Sequence, residues 1–258
     1  MAVYKVGSRG EAVRQVQRLL GLSADGVFGV RTAAAVRVFQ QAAGLVADGV
    51  AGPVTLARLR ECTPVIAAGY ISRHITRYAD RPVRYIAIHY TAGGSSRRGS
   101  AMAARNVFLS RNASADFVVD DEQIVQVNPD IRNCYCWAVG DRRNPGSGGG
   151  TLYGVATNKN TVSIEVCSNL QGGTTAAVPN HDGWSFTDKA LGNALRLVRY
   201  LMLVYGIPKD NVVRHYDISG KLCPGIAGWN GGILYTTGGK ALPVRNNSRK
   251  WLAFKERI

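Results

Sequence analysis

"VVRHYDISGKLCPG", residues 212–225, sets a histidine, a lysine and a cysteine at close, uneven spacing. Lys221 lies six residues after His215 and Cys223 eight, and Pro224 with Gly225 then stops the chain. Just upstream, "NVVRH" (211–215) reads as a short strand that delivers His215. Further back, "VRYIAIHY" (83–90) is a buried strand rich in Val, Ile and Tyr that places His89 at its end, beside the small-residue stretch "YTAGG" (90–94). A strand-end histidine next to such a loop can aim its ring into a cleft. His89, His215 and Cys223 together offer two imidazoles and one thiolate, a donor set that suits Zn²⁺. Three protein ligands leave a fourth position for water, as in catalytic rather than structural zinc sites, and the close ligand pairs of a zinc finger are absent. Plainer readings stand beside this one. An isolated histidine serves as a hydrogen-bonded structural residue, and an isolated cysteine as a small buried hydrophobe.

The surrounding pattern alternates strands and helices. "ADFVVDDEQIVQV" (115–127) reads as a hairpin turning near Asp120–Glu122. "TVSIEV" (161–166) alternates strictly, with Val162, Ile164 and Val166 on one side and Ser163 and Glu165 on the other. "FTDKALGNALRLVRYLMLVYGIP" (186–208) predicts an amphipathic helix capped by Thr187 and ended by Gly206 and Pro208, with Leu191, Leu195, Val198 and Met202 as its inner stripe. The glycine-rich "NPGSGGGTLYG" (144–154) reads as a flexible loop. It lacks the Gly-Lys-Ser/Thr of a phosphate loop, which excludes nucleotide binding of that kind.

Bulk properties bound the answer. With 258 residues, 46% hydrophobic and 19% charged, the chain is globular and long enough for one large core or two smaller ones. No run reaches the ~18 apolar residues of a membrane span. The start, "MAVYKVGSRGEAVRQ", lacks a basic-then-apolar signal pattern, so the expected route is synthesis in the cytoplasm and delivery by other means. The net charge of +15 favours anionic partners such as nucleic acid, anionic lipid or cell-wall polymer. The charge is spread through the chain, with 8 Lys+Arg against 4 Asp+Glu in residues 1–62, and no common nucleic-acid module is present, so no nucleic-acid partner is expected. The five cysteines, an odd number without even spacing, indicate a reduced origin. Cys134 and Cys136 are two residues apart and read as packing residues; His74 and His181 read as incidental.

The first 62 residues carry a repeat. "ADGVFGVRT" (24–32) returns as "ADGVAGPVT" (47–55), a period of 23 residues. Each copy begins with an Asp-Gly turn and leads into a helical pattern: Ala35, Val36, Phe39 and Ala43 after the first, and Val54, Leu56 and Leu59 after the second. Before them, Val13, Val16, Leu19 and Leu20 share one helical face. Three short helices joined by matching turns resemble the small peptidoglycan-binding domain found at the ends of many cell-wall hydrolases. That resemblance implies wall binding by residues 1–62. Residues 63–80, without a clean period, are read as the linker and lead-in to a second domain spanning 81–258.

"YIAIHYTA", "TVSIEV" and "RHYDISGKLCPG", in this order, resemble the type-2 N-acetylmuramoyl-L-alanine amidases, which share a fold with phage lysozyme-type amidases and peptidoglycan recognition proteins. The resemblance implies an α/β domain with a mixed central sheet flanked by helices. It implies zinc on His89, His215 and Cys223, Glu165 as the proton-handling carboxylate and Lys221 as the oxyanion stabiliser. Many members carry Asp where Cys223 stands. Some place a catalytic Tyr before the central hairpin strand; here Ala115 occupies that position, leaving the proton work to Glu165. "CYCWAVGD" (134–141) resembles a segment near the substrate groove, so Trp137 is a candidate substrate contact, with core packing as its alternative; Tyr90 and Thr91 are two further candidates. The expected function is a zinc amidase cleaving the bond between N-acetylmuramic acid and L-alanine. The expected agent is a monomeric phage or prophage endolysin released to the wall by a holin. The alternatives are a bacterial autolysin, an antibacterial effector of the same activity, or a recognition protein that binds peptidoglycan without cutting it.

Overall fold

A computed structural model of the chain describes residues 2–140, 142–171, 178–235, 241–244 and 248–258. Three helices open it: α1 (Glu11–Leu19), α2 (Val30–Ala42) and α3 (Pro53–Cys62). Their shared core holds Val13, Val16, Leu20, Phe28, Val36, Phe39 and Leu59. The two Asp-Gly turns are built alike around a glutamine. Gln17 Nε2 donates to Asp25 Oδ1 (2.7 Å), Val27 O (3.1 Å) and Thr32 Oγ1 (3.2 Å), while its Oε1 accepts from Gly26 N (2.9 Å). Gln40 repeats this with Asp48 (2.8 Å), Val50 (3.0 Å), Thr55 (3.1 Å) and Gly49 (2.9 Å). Gly26 and Gly49 have φ of 79° and 77°, conformations that favour glycine. Val54, expected on the inner face of α3, is 67% exposed. The bond from Gln40 draws Thr55 inward, and its neighbour is turned out.

The stretch 63–80 contains β1 (Ala67–Ala68) and β2 (Ile75–Arg77). Then follow β3 (Tyr85–Tyr90), α4 (Ser100–Val107), β4 (Phe117–Val119), β5 (Ile124–Gln126), β6 (Cys134–Cys136) and β7 (Thr161–Val166). Next come β8 (Asn169–Leu170), β9 (Trp184–Ser185), α5 (Asp188–Tyr205), β10 (Val212–Arg214) and α6 (His215–Ser219). The paired strands β11 (Gly232–Tyr235) and β12 (Ala241–Val244) and the helix α7 (Arg249–Glu256) close the chain. Six strands form one mixed sheet in the order β1-β5-β4-β7-β3-β10, with only the β4–β5 hairpin antiparallel. β1, inside the stretch read as linker and lead-in, is its edge strand.

The alternation in β3 and β7 sorts the two faces of the sheet. Ile86, Ile88, Val162, Ile164 and Val166 pack with Leu197, Val198 and Leu201 of α5. Thr187 Oγ1 accepts from Ala190 N (3.1 Å) as the cap of α5, and Gly206 ends the helix with φ 66°. The buried face of α5 is wider than the four-residue stripe. Leu191 and Met202 are only partly buried, whereas Ala190, Asn193, Ala194, Tyr200 and Val204 are buried as well. The cause is non-local: Leu203 packs into the core of the N-terminal helices, so α5 is covered from two sides. The glycine-rich loop read as flexible is bonded to α6. Asn144 N donates to Ser219 O (2.6 Å), Gly150 N to Tyr216 O (2.9 Å) and Leu152 N to Asp217 O (2.9 Å). A Cβ at Gly149 would lie 2.5 Å from Tyr216 O, so the loop packs this closely only as glycine.

Candidate active site

Strand register assembles the centre. His89 is aligned with Glu165 across β3 and β7, and Glu165 with Val118 across β7 and β4. Arg214, the last residue of β10, is aligned with Ile88, so His215 emerges beside His89. α6 lasts five residues and ends at Gly220 (φ 80°), and Cys223 O accepts from Tyr216 N (3.0 Å), which folds the 220–223 segment back onto the helix. His89 Nδ1 lies 3.2 Å from His215 Nδ1 and 3.7 Å from Cys223 Sγ. One donor atom from each of the three residues falls within 4.8 Å of the others, and all three residues are buried. This group could hold a metal ion.

The donor chemistry fits a cation. His215 Nε2 is 2.8 Å from Val139 O. A carbonyl only accepts, so that nitrogen carries the proton and Nδ1 presents its lone pair to the centre. Burial and the Lys221 charge hold His215 down at about 4, and burial with the neighbouring His215 and Lys221 holds His89 well below the ordinary imidazole range. Both rings are therefore neutral donors. Burial and the nearby Glu165 push the Cys223 thiol up to about 12, so thiolate here requires a positive partner.

Glu165 stands next to this group. Its Oε2 is sealed from solvent and has no hydrogen-bond partner among the described residues, and His89 Nε2 is likewise unpartnered. Burial raises its carboxyl to about 8, against the pull of Lys221. Such a group can accept and return a proton near neutral pH.

A cleft of about 580 Å³ opens over the centre. His89, Glu165, His215, Lys221 and Cys223 all line it, as do Tyr90, Thr91 and Trp137. The structure thus brings together all eight residues singled out from the sequence. Lys221 is exposed at the mouth. Trp137 is 43% exposed, so it is not a core residue, and its Nε1 donates to Thr76 Oγ1 (2.9 Å). Tyr90 is half-buried, edge-on to Trp184. A Cβ at Gly225 would lie 2.3 Å from its hydroxyl, so only glycine fits behind it. Ala115 is fully buried and packs with Phe108 and Val118, outside the cleft. His74 lies against Trp137 (ring centroids 5.4 Å), and His181 accepts from Gly183 N (2.9 Å), a turn-forming role.

Two parts of the site escaped the sequence reading. Val139 contributes a backbone carbonyl, which no side-chain pattern marks. Nor does a local pattern mark the wall formed by α4, where Ala103, Ala104 and Val107 face the cleft, because its apolar residues are small and its helix short.

Comparison with known proteins follows the same division of the chain. The family model described as N-acetylmuramoyl-L-alanine amidase matches residues 79–226, and a peptidoglycan binding domain model matches residues 9–59. N-acetylmuramoyl-L-alanine amidase CwlA of Bacillus subtilis (strain 168) is 31% identical over 140 residues, which are 54% of this chain and 42% of that protein. CwlH, the amidase of the same name from the same strain, is 33% identical over 148 residues, 57% of this chain and 49% of its own length. The chain thus spans less than half the length of these curated relatives. A solved structure described as a mutant endolysin from Bacillus subtilis shares the fold with TM-score 0.50 and 26% identity, covering 76% of this chain and 99% of its own.

Proposed function

Because the chain belongs to the N-acetylmuramoyl-L-alanine amidase family, whose model matches more than half of it, we propose that it hydrolyses the amide between N-acetylmuramic acid and L-alanine in peptidoglycan, with zinc held by His89, His215 and Cys223. The observation that carries this reading is the convergence of those three donors beside a sealed, unpartnered carboxylate oxygen in a cleft. A tetrahedral ion with nitrogen ligands at about 2.0–2.1 Å and sulfur at about 2.3 Å needs N···N edges of about 3.3 Å and N···S edges of about 3.6 Å. The His89–His215 and His89–Cys223 spacings of 3.2 and 3.7 Å lie close to two of these edges, and all three donor atoms fall within 4.8 Å of one another, which supports zinc as the occupant.

When bound, the ion supplies Lewis acidity to a water and to the amide carbonyl. The protein's own groups do the rest. Glu165 Oε2 takes the proton released as water adds to the carbonyl carbon, and returns it to the nitrogen as the C–N bond breaks. The products are the lactyl carboxylic acid and the free amine of L-alanine. The Lys221 ammonium balances the negative charge that grows on the carbonyl oxygen. Val139 O keeps the His215 ring in one tautomer, and Trp137, Tyr90 and Thr91 bound the groove that orients the substrate. Residues 1–62 bind the wall.

The likeness to a solved endolysin supports an endolysin role. Action at the bacterial wall after holin-type release is the route such a role would take. The test is incubation with purified peptidoglycan, with and without a chelator, scoring new L-alanine N-termini. Release that stops on chelation and returns with zinc is expected. Binding without release would leave a recognition protein instead.

A further inference from the structure

The larger of the two clefts described is not the catalytic one. A cavity of about 670 Å³ lies between the N-terminal helices and the β1 edge of the sheet, within the ~300–1,000 Å³ range of ligand sites and at a domain boundary, where such sites concentrate. Its walls are fixed by a built contact. Arg132 donates to Leu20 O (3.1 Å), Gly21 O (3.3 Å) and Val204 O (3.4 Å), with its guanidinium 4.6 Å from the centroid of the Tyr205 ring. Tyr200 Oη donates to Leu19 O (3.2 Å).

The lining has the composition of a neutral sugar site. Tyr70 offers a ring that is 50% exposed, and its backbone is held by Arg105, which donates to Gly69 O (2.8 Å) and Tyr70 O (2.6 Å). A pyranose can lay its apolar face on such a ring. Gln15 brings an amide, Gln126 an amide oxygen while its nitrogen donates to Asn128 O (2.8 Å), and β1 presents an edge that no other strand covers among the described residues. Charge is close to balanced there despite the +15 of the chain: Arg18 is paired with Glu11 (2.8 Å), and Arg60 faces a cleft that also contains Asp130. A polyanion would call for a surplus of cations.

We propose that this cleft binds a glycan strand of N-acetylated amino sugars, with both domains contributing to one site. The inference rests on the reading of peptidoglycan as the substrate. Phe117 and Leu201, which line the cleft, pack on the α5 side of the sheet, whereas Glu165 lies on the opposite side. A strand held here leaves the catalytic cleft free for a stem on another.

The test is calorimetric titration of the full-length protein with uncharged oligosaccharides of N-acetylglucosamine, since peptide-free N-acetylmuramic acid would add a carboxylate at every second sugar. Saturable binding is expected, weakened at least tenfold by Tyr70→Ala and about threefold by Arg60→Ala, with thermal melting unchanged in both. Free stem peptide added as competitor should leave the binding intact. No saturable binding, both variants within twofold of the parent, or displacement by the stem peptide would overturn the proposal. Chelator-sensitive cleavage of a soluble muropeptide, measured on the same parent protein, reports on the amidase reading separately.

Discussion

Asp116 and Glu165 are two interior carboxylates on neighbouring parts of one sheet, and they are treated in opposite ways. Asp116 Oδ1 accepts from Arg81 (3.0 Å) and Asn128 (2.7 Å), and Oδ2 from Ser163 N (2.8 Å). Arg81 in turn donates to the carbonyls of Ile131, Cys134, Asn158, Lys159 and Thr161, and both members of the pair are fully buried. Glu165 Oε2, in the next row but one, has no partner among the described residues. A closed polar network fixes geometry and leaves nothing to react, while an open one retains a lone pair for chemistry. The N-terminal turns belong with Asp116, since Gln17 and Gln40 use both amide atoms.

The sharpest way to break this contrast is Glu165→Gln. Turnover of a soluble muropeptide should fall about 100- to 10,000-fold while metal content, checked by elemental analysis, stays put. A metal-loaded Gln variant within a few-fold of the parent would make Glu165 a bystander. Asp116→Ala should do the reverse. It strands the Arg81 charge in the interior and should cost about 3–5 kcal/mol in urea unfolding, the usual penalty for halving a buried pair. Gln40→Ala orphans Gly49 N and Thr55 Oγ1 and should cost about 1–3 kcal/mol, with Gln17→Ala comparable.

The smallest effect is on acid sensitivity. Bonds from Val27 N and Gln17 hold Asp25 below its ordinary value. The contribution is therefore full above the unfolded value of about 3.9 and is lost as pH falls through the lower folded one. Asp25→Asn should flatten the acid limb of a melting-temperature profile below about pH 4; an unchanged limb would remove Asp25 from the account.

What could be read in advance followed locality. β3, β7, the cap and stop of α5, and the His-Lys-Cys spacing are written in consecutive residues, and the structure places them accordingly. The glutamines were equally present at the same 23-residue period, Gln17 and Gln40, with Arg14 and Arg37 three residues earlier. A search for apolar periodicity passes over buried amides. Val54 was misplaced for the same reason, because a polar neighbour set the rotation of α3. The double burial of α5, the seating of the glycine-rich loop on α6 and the Val139 carbonyl at His215 all depend on residues dozens of positions away, which a local pattern does not contain.

One helix belongs to two cores. Ala194, Leu197 and Leu201 of α5 lie under the sheet, while Leu203 is packed among α1, α2 and α3. The boundary between the two cores is thus crossed inside a single helix. Heat should then find no weaker half to melt first. Scanning calorimetry of the full chain should show one endotherm, its calorimetric and van't Hoff enthalpies equal, although the sequence carries two separate hydrophobic patterns.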